Sequence, residues 1–107
     1  MDDFIINNGV LVRYSGKDPH AVIPEGVTKI ASRAFYGCRS LMSVVVPETV
    51  KRIEYAAFEF CENLEQITFP PDLTDIGARA FFETAWLKAQ PPLVIINNAV
   101  YEYKGDG

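Results

Sequence analysis

Three prolines, at positions 24, 47 and 70, divide the middle of this chain into equal steps of 23 residues. The text around them repeats as well. Ile23-Pro24-Glu25-Gly26-Val27-Thr28-Lys29-Ile30 is answered by Val46-Pro47-Glu48-Thr49-Val50-Lys51-Arg52-Ile53. Ala34-Phe35-Tyr36-Gly37-Cys38-Arg39-Ser40-Leu41 is answered by Ala57-Phe58-Glu59-Phe60-Cys61-Glu62-Asn63-Leu64. A third copy opens at Phe69-Pro70 and continues through Leu73, Ile76, Ala80-Phe81 and Leu87. A fixed period of that size is the signature of a solenoid, in which each unit buries its apolar face only against its neighbours.

Within a unit the pattern sorts side chains into inward and outward. The inward set of the first unit is Val27, Ile30, Ala34, Phe35, Cys38, Leu41, Val44 and Val46. That of the second is Val50, Ile53, Ala57, Phe58, Cys61, Leu64, Ile67 and Phe69. Positions 34, 35, 38 and 41 fall at i, i+1, i+4 and i+7, which predicts one face of a short helix. Positions 44 and 46 alternate with their neighbours, as a strand requires, and Pro47, without an N–H, ends that strand. Each unit is therefore expected to be a strand, a proline corner, an extended piece near Val27–Ile30 and a helical turn back.

The flanks are of another kind. Phe4-Ile5-Ile6 and Val10-Leu11-Val12-Arg13-Tyr14 are strand formers separated by Asn7-Asn8-Gly9. Asn and Gly adopt positive φ at low cost, so this predicts a hairpin with a type I′ turn. Ser15 to Pro19 is a polar connector. In the third unit Thr84 stands where Cys38 and Cys61 stood, and Gln90 takes the strand position of Val44 and Ile67. Pro91-Pro92 lacks two donors in succession and cannot continue a parallel strand. A second hairpin is expected beyond it, because Ile95-Ile96-Asn97-Asn98 matches Ile5-Ile6-Asn7-Asn8 at an offset of 90. Tyr103-Lys104-Gly105 matches Tyr14-Ser15-Gly16 one place short of that offset. The expected plan is 1–19 as an N-terminal hairpin cap and 20–92 as three repeats with the third irregular. Residues 93–107 then form a C-terminal hairpin that starts a further module of a longer array.

Hydrophobic residues make up 49% of the chain, too many for disorder. Apolar runs are only a few residues long, so no membrane-spanning helix is expected. Met1-Asp2-Asp3 lacks the basic start of a signal peptide. With a net charge of −4 the chain has no basic footprint for nucleic acid and no attraction to anionic membranes. Two cysteines do not make a disulfide scaffold.

The stretches 23–30, 34–41 and 46–53 resemble the BspA-like (Treponema pallidum-type) leucine-rich repeats. The spacer Trp86-Leu87-Lys88 and the hairpin after it are also typical of that family. The resemblance covers essentially the whole chain, with the period, the proline, Ala-Phe, Cys and Leu all in register. It implies a right-handed leucine-rich-repeat solenoid with a β-strand and a short helical turn per repeat of about 23 residues, flanked by β-hairpins. It further implies a parallel sheet along one face and roles in surface adhesion or protein binding. The location it implies is the cell surface or the secreted fraction, with the cytoplasm as the alternative. It brings no catalytic residue, and no cofactor or metal is expected.

His20 is the single histidine, with Asp18 two residues before it and Ser43 one unit on. Equivalent positions on adjacent strands lie about 4.8 Å apart, so a hydrolase using His20 is a remote alternative. No oxyanion-hole signal accompanies it, and a solvent-facing ladder is the simpler reading. Cys38 and Cys61 stack in the same way, compatible with a disulfide or with a ladder of buried thiols. Two sulfurs alone do not close a zinc site. Tyr36, Tyr55, Phe60 and Phe82 fall off the core register, either packing between turns or marking a second contact surface. Lys29, Arg52 and Asp75, and Arg33 and Arg79 around Ala56, read as solvated rows, and Trp86 as a plug for the third unit.

If Val44 and Val46 point in, the outward strand positions form two ladders, His20–Ser43–Gln66 and Val22–Val45–Thr68. An exposed ladder with two valines among small polar side chains is the kind of surface that repeat proteins use for binding. β-Branched residues also sit there simply because they suit a strand. These six residues are the candidate partner-binding set. The expected function is a non-catalytic protein-interaction or adhesion module that holds a rigid strand face toward a macromolecular partner. The alternative is a structural spacer in a longer repeat array. The expected partner is a protein, such as one on a host or neighbouring cell, with end-to-end or edge self-association as a second mode. Neither nucleic acid nor membrane insertion is expected.

Overall fold

Asn8 (φ 51°) and Gly9 (φ 79°) sit together in the left-handed region, as a type I′ turn demands. They join β1 (Phe4–Asn7) to β2 (Val10–Tyr14) as an antiparallel hairpin, with a bulge between Ile5 and Ile6. The computed structural model describes residues 3–73, 75–90, 93–97 and 99–103. Met1-Asp2, Pro91-Pro92, Asn98 and Lys104-Gly105, each of which entered the sequence reading, lie outside the described residues.

The repeats contribute to two parallel ladders, one on each side of the proline corner. Before the corner lie β3 (His20–Val22), β5 (Ser43–Val45) and β7 (Gln66–Thr68), paired in that order. Their registers, His20↔Ser43↔Gln66 and Val22↔Val45↔Thr68, keep the 23-residue step. After the corner lie β4 (Lys29–Ile30) and β6 (Arg52–Ile53), followed by a single parallel bridge from Ile53 to Ile76. The N-terminal hairpin continues only this second ladder, with Val10 opposite Lys29 and Leu11 opposite Ile30.

Between the ladders runs the core. Phe35, Phe58 and Phe81 are fully buried and stacked, with ring centroids 4.6 and 5.5 Å apart. Tyr14 extends the column at 5.0 Å from Phe35 and Phe4 follows at 4.9 Å, so the hairpin closes one end with aromatic rings. Around the column Val27, Ile30, Leu41, Val44, Val50, Ile53 and Leu64 are buried. Ile67 and Phe69 are only partly so. Ile67 lies in the third strand and Phe69 directly follows it, and no fourth strand covers that edge among the described residues.

The short helix expected over 34–41 is not there. In its place the chain makes linked four-residue turns, with Arg33 and Gly37 left-handed in the first unit. Ala56 and Phe60 in the second and Arg79 and Glu83 in the third take the same conformation. The physical reason lies in the backbone hydrogen bonds. Ala34, Tyr36 and Cys38 donate within the turn, to Ala31, Arg33 and Phe35. Phe35 and Gly37 donate instead to the next unit, to the carbonyls of Ala57 (2.8 Å) and Glu59 (2.9 Å). Phe58 and Phe60 likewise reach Ala80 (2.7 Å) and Phe82 (2.8 Å). An α-helix commits its amides to its own carbonyls, whereas this alternation leaves half of them to tie one unit to the next.

The one helix among the described residues is α1 (Ala85–Lys88), in the irregular third unit. Thr84, fully buried, is its N-cap and accepts from the Leu87 amide at 3.1 Å. Trp86 packs edge-on against Phe69 and Phe81, 5.7 and 5.1 Å away, and so plugs the unit as expected.

A second hairpin, β8 (Leu93–Ile96) and β9 (Ala99–Tyr103), has the bulge between Val94 and Ile95 and a left-handed Asn97 (φ 52°). Bulge and turn therefore map onto the first hairpin at an offset of 89, not the 90 read from Ile-Ile-Asn-Asn. Register follows the turn residue and the bulge, and Asn97 takes the place of Asn8. Its side-chain amide donates to the carbonyls of Pro70 (2.8 Å) and Leu73 (2.6 Å), which docks the hairpin on the third proline corner.

Both thiols are free. Cys61 is buried and donates to the Phe35 carbonyl at 2.9 Å, while Cys38 is half-buried. The neighbouring Cys38 sulfur and then burial push the Cys61 thiol up, and the Cys61 thiol in turn lowers that of Cys38.

Candidate functional site

A strand places alternate side chains on opposite faces, and in the β3-β5-β7 sheet the inner positions are Ala21, Val44 and Ile67. The six residues singled out from the sequence consequently share the outer face. Val22 is 64% exposed and Val45, beside it in the ladder, 40%. His20, Gln66 and Thr68 are also exposed and Ser43 is half-buried. The face is fixed from behind, since Val44 is packed in the core and the strands are held at both ends. Ile23 N–H donates to the Val45 carbonyl at 3.1 Å, and Val46 N–H to that of Thr68 at 3.0 Å.

The polar ladder carries one close side-chain contact, His20 Nδ1 to Ser43 Oγ at 2.7 Å. The histidine and serine imagined as a catalytic pair do therefore meet. Asp18 does not complete a triad, because its Oδ1 accepts from the backbone N–H of His20 at 2.9 Å. Among the described residues nothing holds the second imidazole nitrogen, so the contact has the form of a cross-strand hydrogen bond.

At the downstream end of the strands the chain turns at Pro24, Pro47 and Pro70. A shallow groove lies there, lined by Glu25, Val45, Pro47, Glu48, Thr68 and Pro70 among others. Sequence reasoning missed the two glutamates as part of the site. Their signal was present, since Glu25 and Glu48 each follow their proline and so fall three residues beyond Val22 and Val45.

The remaining charged rows are bound up in the stack. Arg52 donates to both Glu54 and Asp75, and the bond to Asp75 first, then that to Glu54, raises its already high pKa. Arg79 lies 3.8 Å over the Phe82 ring and pairs at 2.7 Å with Glu59, which is only 4% exposed. In the row through Arg33, Ala56 and Arg79 the two arginines are exposed, as expected of a solvated row, while Ala56 between them is fully buried and Arg79 reaches down to the buried Glu59. Of the off-register aromatics, Tyr36, Phe60 and Phe82 pack edge to face between turns, with centroids 5.6 Å apart at both steps. Tyr36 and Tyr55 keep large exposed surfaces, and Arg33 stands over the Tyr55 ring. Among the described residues no cluster of three or more His, Cys, Asp or Glu residues could hold a metal ion.

Three comparisons with known proteins bear on this arrangement. Residues 17–103 match the model of the BspA type leucine rich repeat region, in six copies. No curated protein sequence matches the chain. Among solved structures, the crystal structure of a leucine-rich repeat protein of T. pallidum is similar, with a TM-score of 0.66 and 38% identity. The match covers 69% of this chain and 37% of that one, so the chain spans little more than a third of the length of its relative.

Proposed function

The chain belongs to the BspA-type leucine-rich repeat family, and from that premise we propose that it is a non-catalytic protein-interaction module. Its working surface is the outer face of β3-β5-β7, with His20, Val22, Ser43, Val45, Gln66 and Thr68 as the contact residues. The observation that carries this reading is the pair Val22 and Val45. Two aliphatic side chains lie exposed, side by side, on a sheet whose other face is locked into the core. A preorganised face of this kind limits the ordering cost that a partner must overcome on docking. Family membership supports protein binding in general. We further infer the finer features: a right-handed solenoid, hairpin caps at 1–19 and 93–107 around repeats at 20–92, and adhesion at a cell surface. No helix among the described residues is long and apolar enough to cross a membrane.

The test is capture of solubilised cell-surface proteins by the immobilised chain, beside two variants. In one, Val45→Glu and Gln66→Glu alter the proposed face; in the other, Lys51→Glu places a new charge away from it. The expected result is partner loss with the first variant alone. Its stability should stay within about 0.5 kcal/mol of the parent, as for other exposed substitutions. Equal capture by all three would favour a structural spacer. Turnover of an ester substrate, abolished by His20→Ala, would overturn the non-catalytic reading.

A further inference from the structure

The groove at the proline corners has a volume of about 380 Å³, and its floor and walls are Val45, Pro47, Thr68 and Pro70 with two glutamates beside them. Both glutamates, Glu25 and Glu48, are exposed. Their positions are one repeat apart, so their backbones are separated by about one strand spacing, roughly 4.8 Å, which puts two like charges on one rim. Several other carboxylates of the stack have cationic partners. Glu62 lies 3.7 Å from Arg39, Glu59 pairs with Arg79, Glu83 with Lys88, and Glu54 and Asp75 share Arg52. Glu25 and Glu48 stand at the proline corners just beyond the exposed valines, and neither is within ion-pair distance of a cation among the described residues.

We propose that the groove and the adjoining Val22–Val45 ladder receive an extended segment of a partner protein in which Lys or Arg alternates with small apolar residues. The apolar residues would lie on Val22 and Val45, and a cationic side chain would lie between Glu25 and Glu48. This rests on the strand-face reading above and adds the charge of the partner. Two observations favour that occupant. The two like charges on the rim have no cationic partner among the described residues, so a cation placed there gains an attraction that no other group already supplies. A second copy of this chain is a poor occupant, because its net charge is −4 and the same face would meet carboxylate with carboxylate.

Fluorescence anisotropy with three labelled peptides tests the inference. The probes alternate valine with lysine, with serine, or with glutamate, at equal length. The Lys-Val peptide should bind at least about ten-fold tighter than the Ser-Val peptide in low salt, and that margin should shrink when salt is raised to about 0.3 M. The Glu-Val peptide should bind weakest. Glu25→Gln with Glu48→Gln should abolish the margin, whereas Glu62→Gln, on the paired row, should leave it intact. An intact margin in the double variant, no preference among the peptides, or no binding of any of them would overturn the inference. The strand-face reading is judged separately. If the Ser-Val peptide binds as well as Lys-Val but is lost on Val45→Glu with Gln66→Glu, the charge assignment fails and the face survives.

Discussion

Phe58 occupies the middle of the aromatic column, with Phe35 on one side and Phe81 on the other, and has no exposed surface. Truncation there removes contacts to two units at once. Phe58→Ala should lower stability by about 3–5 kcal/mol by the precedent of buried aromatic truncations, measurable by urea unfolding. A loss below about 1 kcal/mol would mean that the stack does not depend on its central ring. The position of this ring was legible in the sequence, because Ala34-Phe35, Ala57-Phe58 and Ala80-Phe81 recur in step with the prolines. Glu59 was not. Its burial depends on Arg79, twenty positions on in the next unit, and neither residue carries a local sign of the pairing. Long-range partners of this kind need the stacking geometry before they can be named.

The turn that stands in place of a helix is the element the periodicity misread. Apolar residues at i, i+1, i+4 and i+7 fit one face of a helix, but they fit consecutive turns with a left-handed residue at every fourth position equally well. Gly37 was the available cue. It was obscured because Phe60 and Glu83 occupy the same slot in the next two units, and non-glycine residues rarely take positive φ. At Glu83 (φ 60°) that conformation has a cost of about 1–2 kcal/mol. Only an exposed ion pair to Lys88, at 3.1 Å, stands against relieving it. Glu83→Gly should therefore stabilise the chain by about 1 kcal/mol relative to Glu83→Gln, which loses the same ion pair and keeps the strain. Equal stability of the two variants, by thermal or urea unfolding, would show that the turn is not strained there. The strand element was read correctly for a simple reason. Alternation at 44 and 46 with a proline at 47 admits few other conformations, and the outward ladders follow from it directly.

At the scale of the molecule, units that differ in surface chemistry are joined by the same three connections: two parallel ladders and the hydrogen bonds between turns. The arrangement is elongated, 44 × 27 × 18 Å, and it turns one short-stranded sheet outward at one side of the proline corners. That sheet carries the exposed valines and the His20–Ser43 contact, and Glu25 and Glu48 stand just beyond its strands at the proline corners. The second sheet, by contrast, presents Arg52 already engaged with its neighbours. The location of the face was legible from period and alternation. The character of its rim was not, because whether a carboxylate has a cationic neighbour is known only once the units are stacked. Hydrogen exchange of the chain with and without a captured protein partner tests the central claim most directly. Protection is predicted to rise at His20–Val22, Ser43–Val45 and Gln66–Thr68 and to stay unchanged at Lys29–Ile30 and Arg52–Ile53. Protection confined to the second sheet, or absent from both, would contradict the assignment of the outer face of β3-β5-β7 as the binding surface.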